Sequence, residues 1–328
     1  MTKLNSLQQK ALCDLADPES QPNAHSFALY EPGQLLALAE YHGVSPTITR
    51  KLKAIIDDVP DQWQPILSEL EGELRIATIV TLALEGEAEK IRGRFNDAGI
   101  PFKLVKGAAF AKDLYPSVSD RPFTDLDFVL PPDRLDNVAD VMSALGYKRA
   151  DETRAQREEI YREQKWILPG VKYVLVEVHT DLVHQPSLRR RITYGFEQLD
   201  AHSSGDDRTV EHLMTAVIHG SVGHKFHNLK LAVDVLQALR RISSDAVEQA
   251  AERAAELHIT YELAASAKLI VAMFPNAAKE NAIRQLSRVA STPIGLTRNT
   301  VTNAHLRDYW PSRLHRHVFR WSQIARRV

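Results

Sequence analysis

Apolar positions in the first hundred residues recur at helical spacing. LLALAEYHGVSP predicts a helix that stops at a Gly-Val-Ser-Pro breaker, and Ser45 or Thr47 starts the next, through Ile56. From about Pro65 to Ala98, Ile66, Leu70, Leu74, Ala77, Leu84, Ala88, Ile91 and Phe95 follow at steps of three and four, with Thr81 the polar member of the series. Those steps place all of them on one face of a single long helix, which Asn96-Asp97-Ala98-Gly99 ends. The period changes at Ile100. IPFKLVKG is a short apolar run into a glycine turn, AAFAKDLY a short helix and SVSDRP a loop. TDLDFVL alternates polar and apolar before Pro131-Pro132, which predicts a strand. Asp133 caps a helix through Leu145 that Gly146 closes. YREQKWILPGVKYVLVEVHTDL predicts two strands joined around Pro169-Gly170, neighbours able to run antiparallel, unlike those of an all-parallel sheet. Helical spacing returns over 208–222, 229–241, 245–256, 259–274 and 278–290. The expected class is α+β: a small mixed sheet at 100–185, between a helical amino-terminal region, 1–99, and a helical carboxyl-terminal region, 186–328.

Composition narrows this little. With 328 residues, 44% hydrophobic and 25% charged, the chain is too apolar for wholesale disorder, and its net charge of -1 sets up no global field toward nucleic acid or membrane. Cys13, the single cysteine, excludes an internal disulfide and a thiolate metal site. The longest strongly apolar stretch, Ile76 to Leu84, falls well short of the roughly 20 residues that span a bilayer. The first twenty residues lack the apolar core of a signal peptide, so a cytoplasmic protein without a membrane partner is the expectation. Residues 298–328 hold seven arginines and one acid, Asp308, interleaved with Tyr309, Trp310, Phe319 and Trp321. That mixture suits RNA, but helical spacing favours a docked amphipathic helix with a solvated charged face.

The chemistry concentrates at Thr124-Asp125-Leu126-Asp127-Phe128. In a strand, residues two apart share a face, so both carboxylates project together while Leu126 and Phe128 enter the core. Adjacent carboxylates repel unless a cation stands between them, and Mg²⁺ takes carboxylate oxygens, waters and phosphates. On this reading Asp127→Asn relieves repulsion in the metal-free chain. Lys106-Gly107, at a strand-to-helix turn, offers a cation and a close backbone approach for phosphate. Arg121 either binds phosphate or pairs with Asp120 or Asp125. Glu177 and His179 share a face of the second β-like segment, and a buried Glu177 needs a partner or a metal.

Lys106-Gly107, Leu114-Tyr115-Pro116, Arg121-Pro122, Asp125-Leu126-Asp127, Gly146-Tyr147 and Glu177-Val178-His179 occur in an order that resembles the uncharacterised nucleotidyltransferase family of the DNA polymerase β-like superfamily. His219, His224 and Asp234-Val235 are similar to that family's later positions. The resemblance spans about 65–240. It implies a polymerase β-like fold and transfer of a nucleoside monophosphate from an NTP to an acceptor (small molecule, protein or RNA), with release of pyrophosphate. It further implies two metal ions, Mg²⁺ or Mn²⁺, held by Asp125, Asp127 and Glu177. Lys106, Gly107, Arg121, His179, His219, His224 and Lys230 are the implied nucleotide-binding residues. The departures are Ala108, where the superfamily has Ser or Gly, and Thr180, where the family often has Trp. The alternative is a catalytically inactive nucleotide- or protein-binding module of the same fold.

Two other motifs compete. His212, His219, His224 and His227 make a conceivable zinc cluster, but no His-Glu-x-x-His accompanies them, and packing of His219 and His224 toward the cleft is favoured. His179-Thr180-Asp181 resembles the His-x-Asp of antibiotic kinases. The Asn expected five residues after the Asp is Pro186, and the first hundred residues carry no Gly-rich lobe.

Overall fold

The computed structural model describes residues 2–150, 162–171, 174–201, 206–277, 281–288, 295–306 and 310–326. Tyr161 at the start of the expected hairpin, part of the 278–290 helix, and Arg307, Asp308, Tyr309 and Arg327 of the basic tail lie outside them.

Four helices, α1 (Ser6–Ala16), α2 (Ala24–Ala28), α3 (Pro32–His42) and α4 (Ser45–Ala54), precede the long helix α5 (Gln64–Asp97). Asn5 caps α1, and Gly43, at φ 67°, ends α3 in the left-handed region that favours glycine. The periodic face of α5 is buried at its two ends, Leu70 on one side and Thr81 to Phe95 on the other. Between them Leu74 and Ala77 are only half-buried, and Ile76 and Ile79 are exposed. The expected continuous stripe is interrupted there because α5 passes from one core to a second.

Five strands form one mixed sheet: β1 (Lys103–Val105), β2 (Asp125–Val129), β3 (Lys148–Arg149), β4 (Glu163–Ile167) and β5 (Leu175–His179), in the order β1-β2-β5-β4-β3. β5 runs parallel to β2 and antiparallel to β4, and β1 is antiparallel to β2. The two-residue β3 has no counterpart in the sequence reading. Helix α6 (Gly107–Asp113) follows β1, and α7 (Leu135–Ala144) follows β2. Alternation along the strands divides the sheet. Leu126, Phe128, Trp166, Val176 and Val178 pack with Leu84, Ile91 and Phe95 of α5 and Met142 of α7. The other face carries Asp125, Asp127, Glu163, Lys165, Glu177 and His179, paired across strands.

After β5 come α8 (Pro186–Arg189), α9 (Phe196–Asp200) and α10 (Asp206–Val217). α10 widens into a π turn, Ile218–Gly223, where the 208–222 spacing predicts ordinary helix. Then follow α11 (Leu229–Arg241), α12 (Ala246–Glu256), α13 (Thr260–Met273), α14 (Asn281–Arg288), α15 (Arg298–Thr302) and α16 (Trp310–Ala325). These helices share one core with the first four: Leu12, Leu52, Trp63 and Leu70 belong to the same cluster as Leu213, Leu236, Ile270 and Phe319. The Leu4 amide donates to Asn303 Oδ1 at 2.8 Å, tying the two ends of the chain. α16 buries Phe319 and exposes Trp310, Leu314 and Trp321. Among the described residues, no helix is long and apolar enough to cross a membrane.

Candidate functional site

The polar face of the sheet opens into a cleft of about 620 Å³, closed on the far side by the π turn and the start of α11. Asp125, Asp127 and Glu177 all line it. Asp127 and Glu177 are register partners on the parallel pair β2–β5, which is why their side chains emerge side by side. Ligand atoms of Asp127, Glu177 and His179 lie within 4.8 Å of one another, a spacing that one cation can span. Asp125 lines the same cleft but is not part of that group.

Counter-charges come from the chain itself. Lys106 Nζ donates to Asp127 Oδ1 at 2.8 Å, and His179 Nε2 lies 2.9 Å from the same oxygen. Burial opposes ionisation of Asp127, but Lys106 and the His179 hydrogen bond outweigh it and hold the carboxyl far below the usual range. Burial likewise disfavours the Lys106 ammonium, and the Asp127 charge more than reverses it, raising the lysine's pKa. Repulsion is therefore not what dominates at Asp127 in the metal-free chain, because a buried lysine already pairs with it. For Asp125, desolvation and then the Asp127 charge raise the carboxyl; Glu177 is raised by desolvation and by Asp127 and Glu163.

Lys106 sits at φ 54°, ψ -127°, an unfavourable conformation for a residue with a Cβ, at the turn from β1 into α6. Only a backbone held by its surroundings keeps it there, and the ion pair to Asp127 is one such hold. The next residue must be glycine for a different reason from the one the sequence offers. A Cβ on Gly107 would lie 2.9 Å from Phe123 Cβ, so the missing side chain lets the loop before β2 close on the turn.

Arg121 finds its partner far along the chain. Its Nε and Nη2 donate to Asp234 Oδ1 and Oδ2 at 2.7 and 2.9 Å, Nη1 donates to the Pro122 carbonyl, and Tyr115 Oη donates to Asp234 Oδ1 at 2.7 Å. Pair and tyrosine are buried, and neither Asp120 nor Asp125 is the partner; Asp120 takes Arg50 instead. The guanidinium borders the cleft, but its fork is committed to fastening α11 to the loop before β2.

His219 and His224 lie on the cleft beside His227, with ring centroids 4.7 and 5.1 Å apart in succession. Desolvation lowers all three, His224 to about 4, so the neutral imidazole is favoured. His219 Nδ1 is buried without a hydrogen-bond partner among the described residues. His212 does not join them: its Nε2 lies 3.0 Å from Asp113 Oδ2, beside a different cavity, which breaks up the four-histidine zinc cluster. Asp181, the base of the kinase-like reading, accepts from the Val183 amide at 2.7 Å and does not line the cleft. Lys230 lines it, its stem lying over Gly43, and desolvation followed by the Arg121 charge lowers its pKa to about 8.

Three further residues complete the polar face. Lys165 Nζ bridges Glu163 Oε1 at 2.8 Å and Glu177 Oε1 at 2.6 Å, and His184 stands against Glu163 Oε2. Sequence reasoning passed over Glu163 and Lys165. Extending the hairpin around Pro169-Gly170 into register would have set them opposite His179 and Glu177.

A family model described as "Uncharacterised nucleotidyltransferase" matches residues 30–275, most of the chain. No curated protein and no solved structure matches the sequence.

Proposed function

The chain belongs to the uncharacterised nucleotidyltransferase family, and from that premise we propose that it transfers a nucleoside monophosphate from an NTP to an acceptor hydroxyl or phosphate, releasing pyrophosphate. The observation that carries the proposal is the in-register pair Asp127 and Glu177 on adjacent parallel strands, with Asp125 on the same face and basic side chains across the cleft. The donor set fits a hard divalent ion, since carboxylate oxygens dominate it. Asp125, Asp127 and Glu177 would hold Mg²⁺ or Mn²⁺. When bound, such ions lower the pKa of the attacking oxygen and offset charge on the leaving pyrophosphate.

The remaining work falls to the chain. Lys106 and Lys230 supply positive charge on opposite walls, one at the turn from β1 into α6 and one on α11, suited to an anionic triphosphate between them. His179 orients Asp127 through its Nε2 contact. Neutral His219 and His224 add hydrogen-bonding groups to the same wall without adding charge that would compete with the metal. The cleft volume is in the range that encloses small ligands, which limits water around the reacting phosphate.

The test is incubation of the purified chain with labelled NTPs, Mg²⁺ or Mn²⁺, and candidate small-molecule, protein and tRNA acceptors, followed by pyrophosphate release and mass spectrometry. Transfer by the parent, lost in Asp125→Asn and Glu177→Gln, supports the reading. NTP binding with no pyrophosphate release from any acceptor would overturn it in favour of an inactive binding module.

A further inference from the structure

Beyond the aspartate pair the sheet face carries a second constellation, made by Glu163 of β4, His179 at the end of β5 and His184 in the loop that follows. We propose that these three residues form a separate binding site for a zinc-like divalent cation, with Glu163 Oε2, His179 Nδ1 and His184 Nδ1 as donors. One ligand atom from each residue lies within 4.8 Å of the others. Glu163 Oε2 is 3.4 Å from His184 Nδ1 and 3.8 Å from His179 Nδ1. Donors around a tetrahedral zinc with bonds of about 2.0–2.2 Å stand roughly 3.3–3.6 Å apart, so two of the three edges are already near the required length.

The independent observation is the state of His179. Its ring is fully buried, and its Nε2 lies 2.9 Å from the Asp127 carboxylate, an oxygen that can only accept. Nε2 therefore carries the proton. That turns Nδ1 the other way, and among the described residues Nδ1 has no hydrogen-bond partner. It faces Glu163 Oε2, another acceptor, at a distance too long for a hydrogen bond. A buried ring nitrogen without a partner is costly, and a cation between it and the half-buried Glu163 carboxylate removes the cost. The arrangement Asp127–His179–cation is the one in which a ligating histidine gives its other proton to a carboxylate.

The donor chemistry selects the ion. Two imidazoles and one carboxylate suit zinc and its neighbours, whereas Mg²⁺ prefers oxygen. Lys165 pairs with Glu163 Oε1, which leaves Oε2 to face His179 and His184. Asp125 takes no part, which separates this site from the proposed nucleotide-site metals even though His179 touches both.

Co²⁺ is the probe, because four-coordinate Co²⁺ with nitrogen and oxygen donors absorbs visibly and more strongly than hexa-aqua Co²⁺. The full chain, titrated without nucleotide, is expected to bind one Co²⁺ with that spectrum, displaced by Zn²⁺ but not by Mg²⁺. His184→Ala and the isosteric Glu163→Gln should each weaken binding at least tenfold, while Asp125→Asn leaves it unchanged. Absence of a four-coordinate spectrum in the parent would overturn the site. So would a spectrum indifferent to both His184→Ala and Glu163→Gln, or one abolished by Asp125→Asn. Circular dichroism identifies a variant that fails to fold, and Glu163→Gln then decides the matter. Since no nucleotide is present, failure here leaves the transfer reaction standing, and loss of transfer leaves this result standing.

Discussion

Asp127→Asn tests the electrostatic account of the cleft most sharply, because two readings of the same residue predict opposite signs. Were Asp127 chiefly repelled by Asp125, removing its charge would stabilise the metal-free protein. The structure instead gives it a buried partner, with Lys106 Nζ at 2.8 Å and the lysine only 7% exposed. Breaking a buried pair by removing one member typically costs about 3–5 kcal/mol, since the other charge is left without compensation. A ceiling comes from the alternative open to Lys106, which is to lose its proton. From an ordinary pKa of about 10.4, that costs about 4.6 kcal/mol at pH 7, at 1.36 kcal/mol per unit. Glu177 and Asp125 also act on Lys106 favourably, which draws the expected loss toward the lower end, about 3 kcal/mol. Urea unfolding of metal-free protein, followed by tryptophan fluorescence, measures it, and Lys106→Met completes a double-mutant cycle. In the double variant the loss should be smaller than the sum of the two single losses by at least about 1.5 kcal/mol. The pH dependence has a definite sign. Asp127's folded pKa is depressed, so its contribution is present above the unfolded carboxylate range and declines as pH falls below about 4. Lys106's is raised, so its contribution is full below about pH 10 and is lost at higher pH. An Asp127→Asn protein more stable than the parent at pH 7, or a cycle that adds within about 0.5 kcal/mol, would refute the pairing argument.

Arg121→Lys should lower stability by about 3 kcal/mol in a denaturant titration, because an ammonium cannot reproduce the two-pronged contact with Asp234, while Tyr115→Phe should cost only about 1–2 kcal/mol. Gly107→Ala should cost about 1–3 kcal/mol, and Phe123→Ala should fail to rescue it, since the atom 2.9 Å away is Phe123 Cβ, which alanine retains. Triphosphate affinity, measured by calorimetry, should fall as pH rises through about 8 while Lys230 loses its proton, and Lys230→Arg should abolish that fall. The same lowered pKa means the unfolded chain binds more protons between about pH 8 and 10.5, so this lysine's contribution to stability rises over that interval.

How much of this was legible in the sequence depends on the range of the interaction. The alternation in TDLDF put Asp125 and Asp127 on one face, and the spacing in LKLAVDVLQALRR located α11, which spans Leu229–Arg241. Both are read within a few residues. The strand order was not legible, because nothing local says that β5 inserts between β2 and β4. The partner of Arg121 was not legible for the same reason: Asp234 lies 113 residues away, whereas Asp120 and Asp125 are neighbours in sequence. The π turn after α10 was hidden because the apolar spacing over 208–222 reads as ordinary helix. A Cβ on Gly220 would lie 2.7 Å from the Phe226 ring, so that glycine admits the aromatic side chain. Glu163 and Lys165 became meaningful only once β4 and β5 were in register.

The division of apolar residues between two cores has a consequence for the order in which the molecule is made. The cluster behind the sheet is assembled from residues 84–178, a contiguous span that can close soon after β5 leaves the ribosome. The other cluster joins residues from Leu4 onward to residues as late as Phe319. Helices α1 to α4 are therefore synthesised first and buried last, holding Leu12, Leu35 and Leu52 open to solvent while more than half of the chain is still to come. Exposed apolar helices of this kind invite association between nascent chains, and pairing ends so distant in sequence is slow. A nascent chain stalled after β5 would thus carry a finished sheet core and an unfinished helical one.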